Sequence, residues 1–314
     1  MRSKSRNASG ARYGKGVIIM ASMRDIKRRK VSIQSTQQIT KAMKLVSTVK
    51  LQRAKQRAEQ SKTYFDCMYE TVNSILKRTS GMQHRYLQSG DSTKKAVIVI
   101  TSNRGLAGGY NSNIVKLITR GDLKKEDLEI YSIGKKGKDA LNRYGYHIAW
   151  ENDDIIEEPA YIDAMQLSKK LLEEFAAGNI GEIYLAYTYF KNTVVHEPKL
   201  IKLLPVETGQ NEEVEAGEKV TQDEEKKLSI PMNFEPKDEE ALDLLIPKYI
   251  TSLIYGALVE AVASENGARM QAMDSATSNA EEMISNLTLQ YNRARQGSIT
   301  QELTEIIAGA EALG

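Results

Sequence analysis

Apolar positions along the chain follow three different rules. From about Met23 to Thr79 they are sparse and periodic, at Ile26, Ile33, Ile39, Met43 and Val46, then at Phe65, Met68, Val72, Ile75 and Leu76. The segment holds no Gly or Pro and is rich in Lys, Arg, Gln and Ala, mostly good helix formers. At 1.5 Å per residue the predicted helix is roughly 85 Å long, which suits a coiled coil or a projecting arm. From about Pro247 to Ala308 the spacing alternates 3 and 4: Val259, Ala263, Asn266, Met270, Met273, Thr277, Ala280, Ile284, Leu287, Tyr291, Ala294. Five heptads in register mark a coiled-coil seam. Its small residues and Met allow a partner helix to approach closely.

Between these segments the pattern is that of an α/β domain. Predicted strands are "KKAVIVIT" (94–101), "LEIYSIG" (128–134), "YHIAW" (146–150), "EIYLAYTYF" (182–190) and "KLIKLLPV" (199–206), with amphipathic helical stretches between the earlier ones. All six prolines lie between 159 and 247. Both ends are therefore free to form uninterrupted helices, with Pro247 expected in a first turn or at a kink. The fold class is α/β: a long antiparallel coiled coil of N- and C-terminal helices plus a Rossmann-like open α/β domain. The expected division is an extension over 1–19, a coiled-coil helix over 20–80, the α/β domain over 81–236 with a mobile acidic loop at 207–228, and a second coiled-coil helix over 237–314.

Charge sharpens this division. The net charge is only +3. Yet residues 21–62 hold twelve Lys/Arg against two Asp/Glu, and residues 207–243 hold thirteen Asp/Glu against four Lys. Such blocks mark partner surfaces or solvated segments. Hydrophobic content is 41% and mean hydropathy −0.45, and no run approaches the ~18 apolar residues of a membrane span. The single Cys67 excludes an internal disulfide. No Cys/His pair has zinc-ligand spacing. The basic, Gly/Ser-rich first 19 residues read as an addendum, with Met20 as the expected start. The codons for Gly14-Lys15-Gly16 form a purine-rich run upstream of that Met, like a translated ribosome-binding site.

Candidate chemistry is thin. "SNRGLAGGYN" (102–111) follows a strand and precedes a helix, where phosphate loops occur. It lacks the Lys-Ser/Thr of a P-loop, and Gly105, Gly108 and Gly109 do not fit G-x-G-x-x-G. A tight turn needing positive φ explains the glycines better. No nucleophile or metal constellation is present, and no cofactor is expected. The basic run 24–44 lacks the interleaved aromatics of a nucleic-acid binder.

Taken together, these stretches resemble the gamma subunit of F-type ATP synthases. "MRDIKRRKVSIQSTQQITKAMKLVS" (23–47) looks like that family's opening helix, and "TSNRGLAGGYN" (101–111) like its central signature, which commonly has Asp at the Asn103 position. "SENGARMQAMDSATSNAEEMISNLTLQYNRARQGSITQELTEIIAGA" (264–310) is similar to the C-terminal signature almost throughout. Gly297 stands where Ala is common. The resemblance covers roughly 20–314 and implies a rotor shaft without a catalytic site of its own. Expected partners are the alpha and beta subunits of a catalytic hexamer, the epsilon subunit and the c-subunit ring, at the cytoplasmic face of a bacterial plasma membrane. It also implies contacts with the hexamer at Met43, Arg269, Gln296, Thr300, Glu302 and Glu305. The competing reading is a coiled-coil adaptor with a phosphate-binding α/β head.

Overall fold

The computed structural model describes residues 8–78, 84–90, 92–206 and 238–312. The acidic loop 207–228 and the first seven residues lie outside them. Helix α1 runs Ala8–Arg78, followed by β1 (Lys95–Ile100), α2 (Tyr110–Thr119), a 3-10 turn at Lys125–Asp127 and β2 (Leu128–Ile133). Then come α3 (Lys135–Arg143), β3 (His147–Asn152), α4 (Tyr161–Ala176), β4 (Glu182–Phe190), β5 (His196–Leu204) and α5 (Asp238–Glu311). The chain divides into two compact units: residues 1–46 with 271–314, and residues 47–270.

The larger unit carries a five-stranded sheet of order β3-β2-β1-β4-β5. All pairs are parallel except β4–β5. Alternation along each strand sorts its side chains to two faces. Ala96, Ile98, Ile100, Ile133, Ile183 and Leu185 pack with α4, with Val72 and Ile75 of α1 and with α5 from Leu242 to Ala261. Val97, Val99, Ile130 and Ala186 pack under α2 and α3. Helices thus cover both faces, as a mostly parallel sheet requires. Strand β5 begins at His196, three residues earlier than its apolar run predicts, and passes through Pro198. An edge strand tolerates a residue with no N–H to donate.

Pro247 is the tenth residue of α5 and neither opens the helix nor ends it. An interior proline costs ~3 kcal/mol or more. Here Leu242, Ile246 and Ile250 on the same stretch are fully buried and hold the helix in place. An 18-residue window of α5 is long and apolar enough for a membrane span, but the face made by Ile246, Ile250, Ile254 and Leu258 is the sheet's own cover. Beside it, Phe65 of α1 lies 6.1 Å from Tyr255 and Tyr69 lies 6.5 Å from Tyr249 (ring centroids), so the helices run antiparallel. Leu51 and Ala54 continue this contact against Ala263.

The smaller unit is an antiparallel helix pair. Thr40 Oγ1 meets Thr277 Oγ1 at 2.8 Å, Gln37 Nε2 donates to Glu281 at 2.9 Å, and Lys44 pairs with Asp274. On α5 the predicted seam is observed: Met273, Thr277, Ala280 and Leu287 are buried, and Ile284, Tyr291 and Ala294 are half-buried. On α1 the phase differs from the apolar pattern. Ile26, Ile33, Gln37 and Thr40 turn inward, while Ile39 and Val46 are more than half exposed. A small hydroxyl side chain lets the backbones approach, and the Thr–Thr contact satisfies its polar atom.

Candidate functional site

The natural ligand site of an open α/β sheet is the crevice at the carboxyl ends of the strands where the order reverses. Here the chain lays down β1, β2 and β3 outward and then returns to β4 on the other side of β1, so that point lies between β1 and β4. The loop after β1 is "SNRGLAGG", and it is locked by its own side chains. Ser102 N–H donates to Asn111 Oδ1 at 2.9 Å, and Asn111 Nδ2 donates to Ser102 Oγ at 2.8 Å. Asn103 Nδ2 donates to Asp153 O at 2.6 Å while its Oδ1 accepts from Lys135 N–H. An aspartate at that position could accept but not donate, which gives the Asn a structural reason. Leu106 has φ 64° and Gly108 φ 55°, so positive φ explains Gly108, whereas Gly109 has φ −83°.

The crevice is filled by α5. Ser264 Oγ donates to Thr188 O near the end of β4 at 3.0 Å. Arg269 reaches the loop after β1, with Nη2 at 3.4 Å from both Arg104 O and Gly105 O. The same nitrogen pairs with Glu265 Oε1 at 2.7 Å, and the two side chains are only 10% and 12% exposed. Burial pushes the Glu265 carboxyl up despite Arg269, and burial with Glu265 pushes Tyr110 up. The loop therefore presents two carbonyls to a buried guanidinium, whereas a phosphate loop presents N–H groups to an anion. A cleft of about 340 Å³ is lined by Arg57, Gln60, Glu158, Pro159, Ala160 and Tyr255, and Arg57 and Glu158 pair across it at 2.7 Å.

The resemblance-derived contact residues fall at separate levels. Arg269 belongs to the larger unit and is turned inward, spent on Glu265 and the loop. Its guanidinium is buried and finds its acceptors within the chain. In the smaller unit Met43 is half-buried beside Lys44, level with Asp274. Gln296 lies 22 residues further along α5, about 33 Å away at 1.5 Å per residue. Gln296, Thr300, Glu302 and Glu305 are all exposed, and Glu305 accepts from Gln301 Nε2 at 2.9 Å.

Around these polar residues stands an apolar set that the polar reading of this stretch passes over. Ile299, Leu303, Ile306 and Ile307 are 47%, 54%, 67% and 59% exposed. At about 100° per residue, Gln296, Ile299, Thr300, Leu303 and Ile307 share the face opposite buried Ser298. Glu302 and Glu305 turn toward the seam side. On α1, Val31, Ile39, Leu45 and Val46 are likewise exposed. On α5 the available signal was phase, since Ile299, Leu303, Ile306 and Ile307 fall out of step with the heptad. A monomer rarely exposes so many large apolar side chains without a partner.

Comparison with known proteins agrees with this geometry. The family model described as ATP synthase matches residues 22–313. An "ATP synthase gamma chain" of Lachnoclostridium phytofermentans is 65% identical over 94% of this chain and 100% of that protein. The "ATP synthase gamma chain, sodium ion specific" of Acetobacterium woodii is 41% identical over 93% of this chain and 98% of its own length. Among solved structures, a chain of the Euglena gracilis mitochondrial ATP synthase (OSCP/F1/c-ring) has a TM-score of 0.62 at 20% identity, covering 93% of this chain and 95% of that one. At that identity the likeness speaks for the fold. A strand-end crevice occupied by the protein's own helix, a paired-helix unit with outward apolar side chains and a family match over nearly the whole length converge: the chain belongs to the ATP synthase gamma-chain family.

Proposed function

We propose that this chain is the central-stalk rotor of a bacterial F-type ATP synthase, transmitting torque between ion flow through a membrane ring and ATP synthesis or hydrolysis in an alpha/beta hexamer. As a gamma chain it is a subunit of the complex and contributes no catalytic site of its own. The observation that carries the reading is the end of α5, where Gln296, Ile299, Thr300, Leu303 and Ile307 stand exposed beyond the stretch paired with α1 at Asp274, Thr277 and Glu281. A shaft must meet several partner surfaces in turn and hold none of them. A narrow apolar strip interleaved with polar groups suits that better than a deep anchor pocket. Met43 and Glu302 and Glu305 are assigned to the same set of rotor–hexamer contacts.

The basic stretch 21–62 is assigned to acidic surfaces of the hexamer, through exchangeable charge pairs worth ~0–1 kcal/mol each. The epsilon subunit and the c ring are the expected partners at the foot, on the cytoplasmic face of the plasma membrane, with no span contributed by this chain. The test is co-purification with alpha and beta ATPase subunits, followed by coupling measurements. Neutralising Arg24, Lys27, Arg28 and Arg29 together is expected to lower ion pumping per ATP hydrolysed. Unchanged coupling rejects the electrostatic part, and absence of alpha and beta from the purified complex rejects the whole. Calorimetry with ATP on the isolated chain separates the adaptor reading, which requires a tight site at 102–111.

A further inference from the structure

A carboxylate is buried where the end of the β4–β5 hairpin rests on α5. Glu260 is half-buried as a residue, yet its Oε2 lies out of solvent with no hydrogen-bond partner. The carboxylate accepts a hydrogen bond from Phe190 N–H. One helical turn on, Ser264 Oγ donates to Thr188 O. Nearly two turns on, Gly267 makes room for His196, for a Cβ built there would stand 2.6 Å from His196 Nε2. Phe190 and His196 are opposite each other on the hairpin, with ring centroids 5.8 Å apart. Thr188 Oγ1 and His196 Nε2 also lack partners. Glu260 Oε2 is thus left unpaired on a stretch of α5 that also buries the apolar Leu258, Ala261 and Ala263.

The groups facing Glu260 come from every element around it. Lys199 of β5 favours its charged form. Tyr187 of β4 is pushed upward by burial first and by Glu260 second, so it stays neutral. Burial pushes the His196 imidazole down, so it brings no charge at neutral pH. On α1 the Lys55 ammonium is held 5.1 Å from the Phe190 ring centroid. Burial outweighs Lys199 and the Phe190 N–H, and raises the Glu260 carboxyl from 4.5 to about 7.

We propose that this seat is a pH-responsive joint: the hairpin is held tightly on α5 while Glu260 carries its proton, and loosens when that proton passes to solvent. The sign follows from linkage. A carboxyl whose pKa is raised on docking favours the docked state below its ordinary value, and that preference is lost as pH rises through the raised value. Taking 4.5 for the open joint and about 7 for the closed one, the opening constant rises about tenfold between pH 6 and 8.5 and levels off at the upper end. His196 works in the opposite direction, since opening lets it take up a proton at low pH.

The experiment is amide hydrogen exchange of the full chain at pH 6 and 8.5, corrected for intrinsic rates and read at residues 187–190, 196, 197 and 199. Three proteins are compared: wild type, Glu260→Gln and His196→Gln. His196→Gln is expected to show the roughly tenfold rise unopposed, and Glu260→Gln is expected to lose it. A flat or falling opening constant in His196→Gln overturns the proposal, as does a rise that persists in Glu260→Gln. Should Glu260→Gln fail to fold, His196→Gln alone still decides.

Discussion

The two units bury helices by opposite means. In the larger one, side chains that lie on a sheet vanish from solvent: Ile98, Ile100, Ile133, Ile183 and Leu185 are fully buried, and even the charges of Glu265 and Arg269 are enclosed. In the smaller one the seam is made of Thr, Ala, Met and Leu, the ion pair Lys41–Glu281 is more than half exposed on both sides, and large apolar residues point outward. The contrast separates a part built to hold its shape from a part built to present a surface. Charge makes the sharpest test. Arg269→Ala strands a buried carboxylate and is expected to cost about 3–5 kcal/mol, while Lys41→Ala should cost at most about 0.5 kcal/mol. Equal losses by urea denaturation would erase the distinction.

Leucines probe the same contrast without charge. Leu185→Ala empties a site at 0% exposure and should destabilise by about 2–5 kcal/mol. Leu303→Ala, at 54% exposure, should stay within about 0.5 kcal/mol. The second variant is nevertheless expected to weaken association with alpha and beta subunits in a pull-down, an effect the first should show only through lost folding. A Leu303→Ala chain that unfolds early but assembles normally would reverse the assignment of that face.

These pairs also explain what was legible in the sequence. Strands of the sheet announce themselves because both faces are buried, so "AVIVI" reads as a continuous apolar run. The α5 seam is legible because its heptads persist over many turns. The α1 seam was misphased because its inward positions are Gln37 and Thr40, which apolar counting skips, while Ile39 and Val46 are visible and point out. Partner surfaces are unreadable by that rule, since an apolar residue kept for another chain looks like one kept for the core. The role of Arg269 was hidden for a different reason. Its acceptors are the carbonyls of Arg104 and Gly105, some 165 residues away, and no side-chain pattern encodes a carbonyl.

The start of β4, between β1 and β5, offers a pH test of intermediate size. Glu182 accepts from Lys95 Nζ at 2.6 Å, Lys202 Nζ at 2.9 Å and Tyr184 Oη at 3.0 Å. Burial alone would push its carboxyl up, but the hydrogen bonds from Lys95 and Lys202 prevail and hold it at about 2. The sign follows: the contribution is present above the ordinary carboxylate value of 4.5 and is lost as pH falls from there toward about 2. Allowing for partial solvent screening, it amounts to about 2 kcal/mol. Glu182→Gln should remove that acid limb from the stability of the larger unit and leave exchange in the helix pair unaltered.

The smallest effect lies inside the seam of the smaller unit, where a polar contact replaces apolar packing. Thr277 Oγ1 donates to Met273 O at 2.8 Å, which leaves its lone pairs to accept from Thr40 Oγ1. Thr40 has a second acceptor in Gln37 O at 3.0 Å, so neither hydroxyl depends wholly on the other. Thr40→Val and Thr277→Val should each cost about 0.5–1.5 kcal/mol, as is usual for one hydrogen bond. Val keeps the shape of Thr and buries no unpaired oxygen, so the double variant should cost no more than either single change, giving a coupling of about 0.5–1.5 kcal/mol. Additive losses would mean that the two hydroxyls are held by their own helices and that the seam is specified by size alone. A coupled pair means that a hydroxyl contact fixes the register of the helices, leaving their apolar side chains free to face outward.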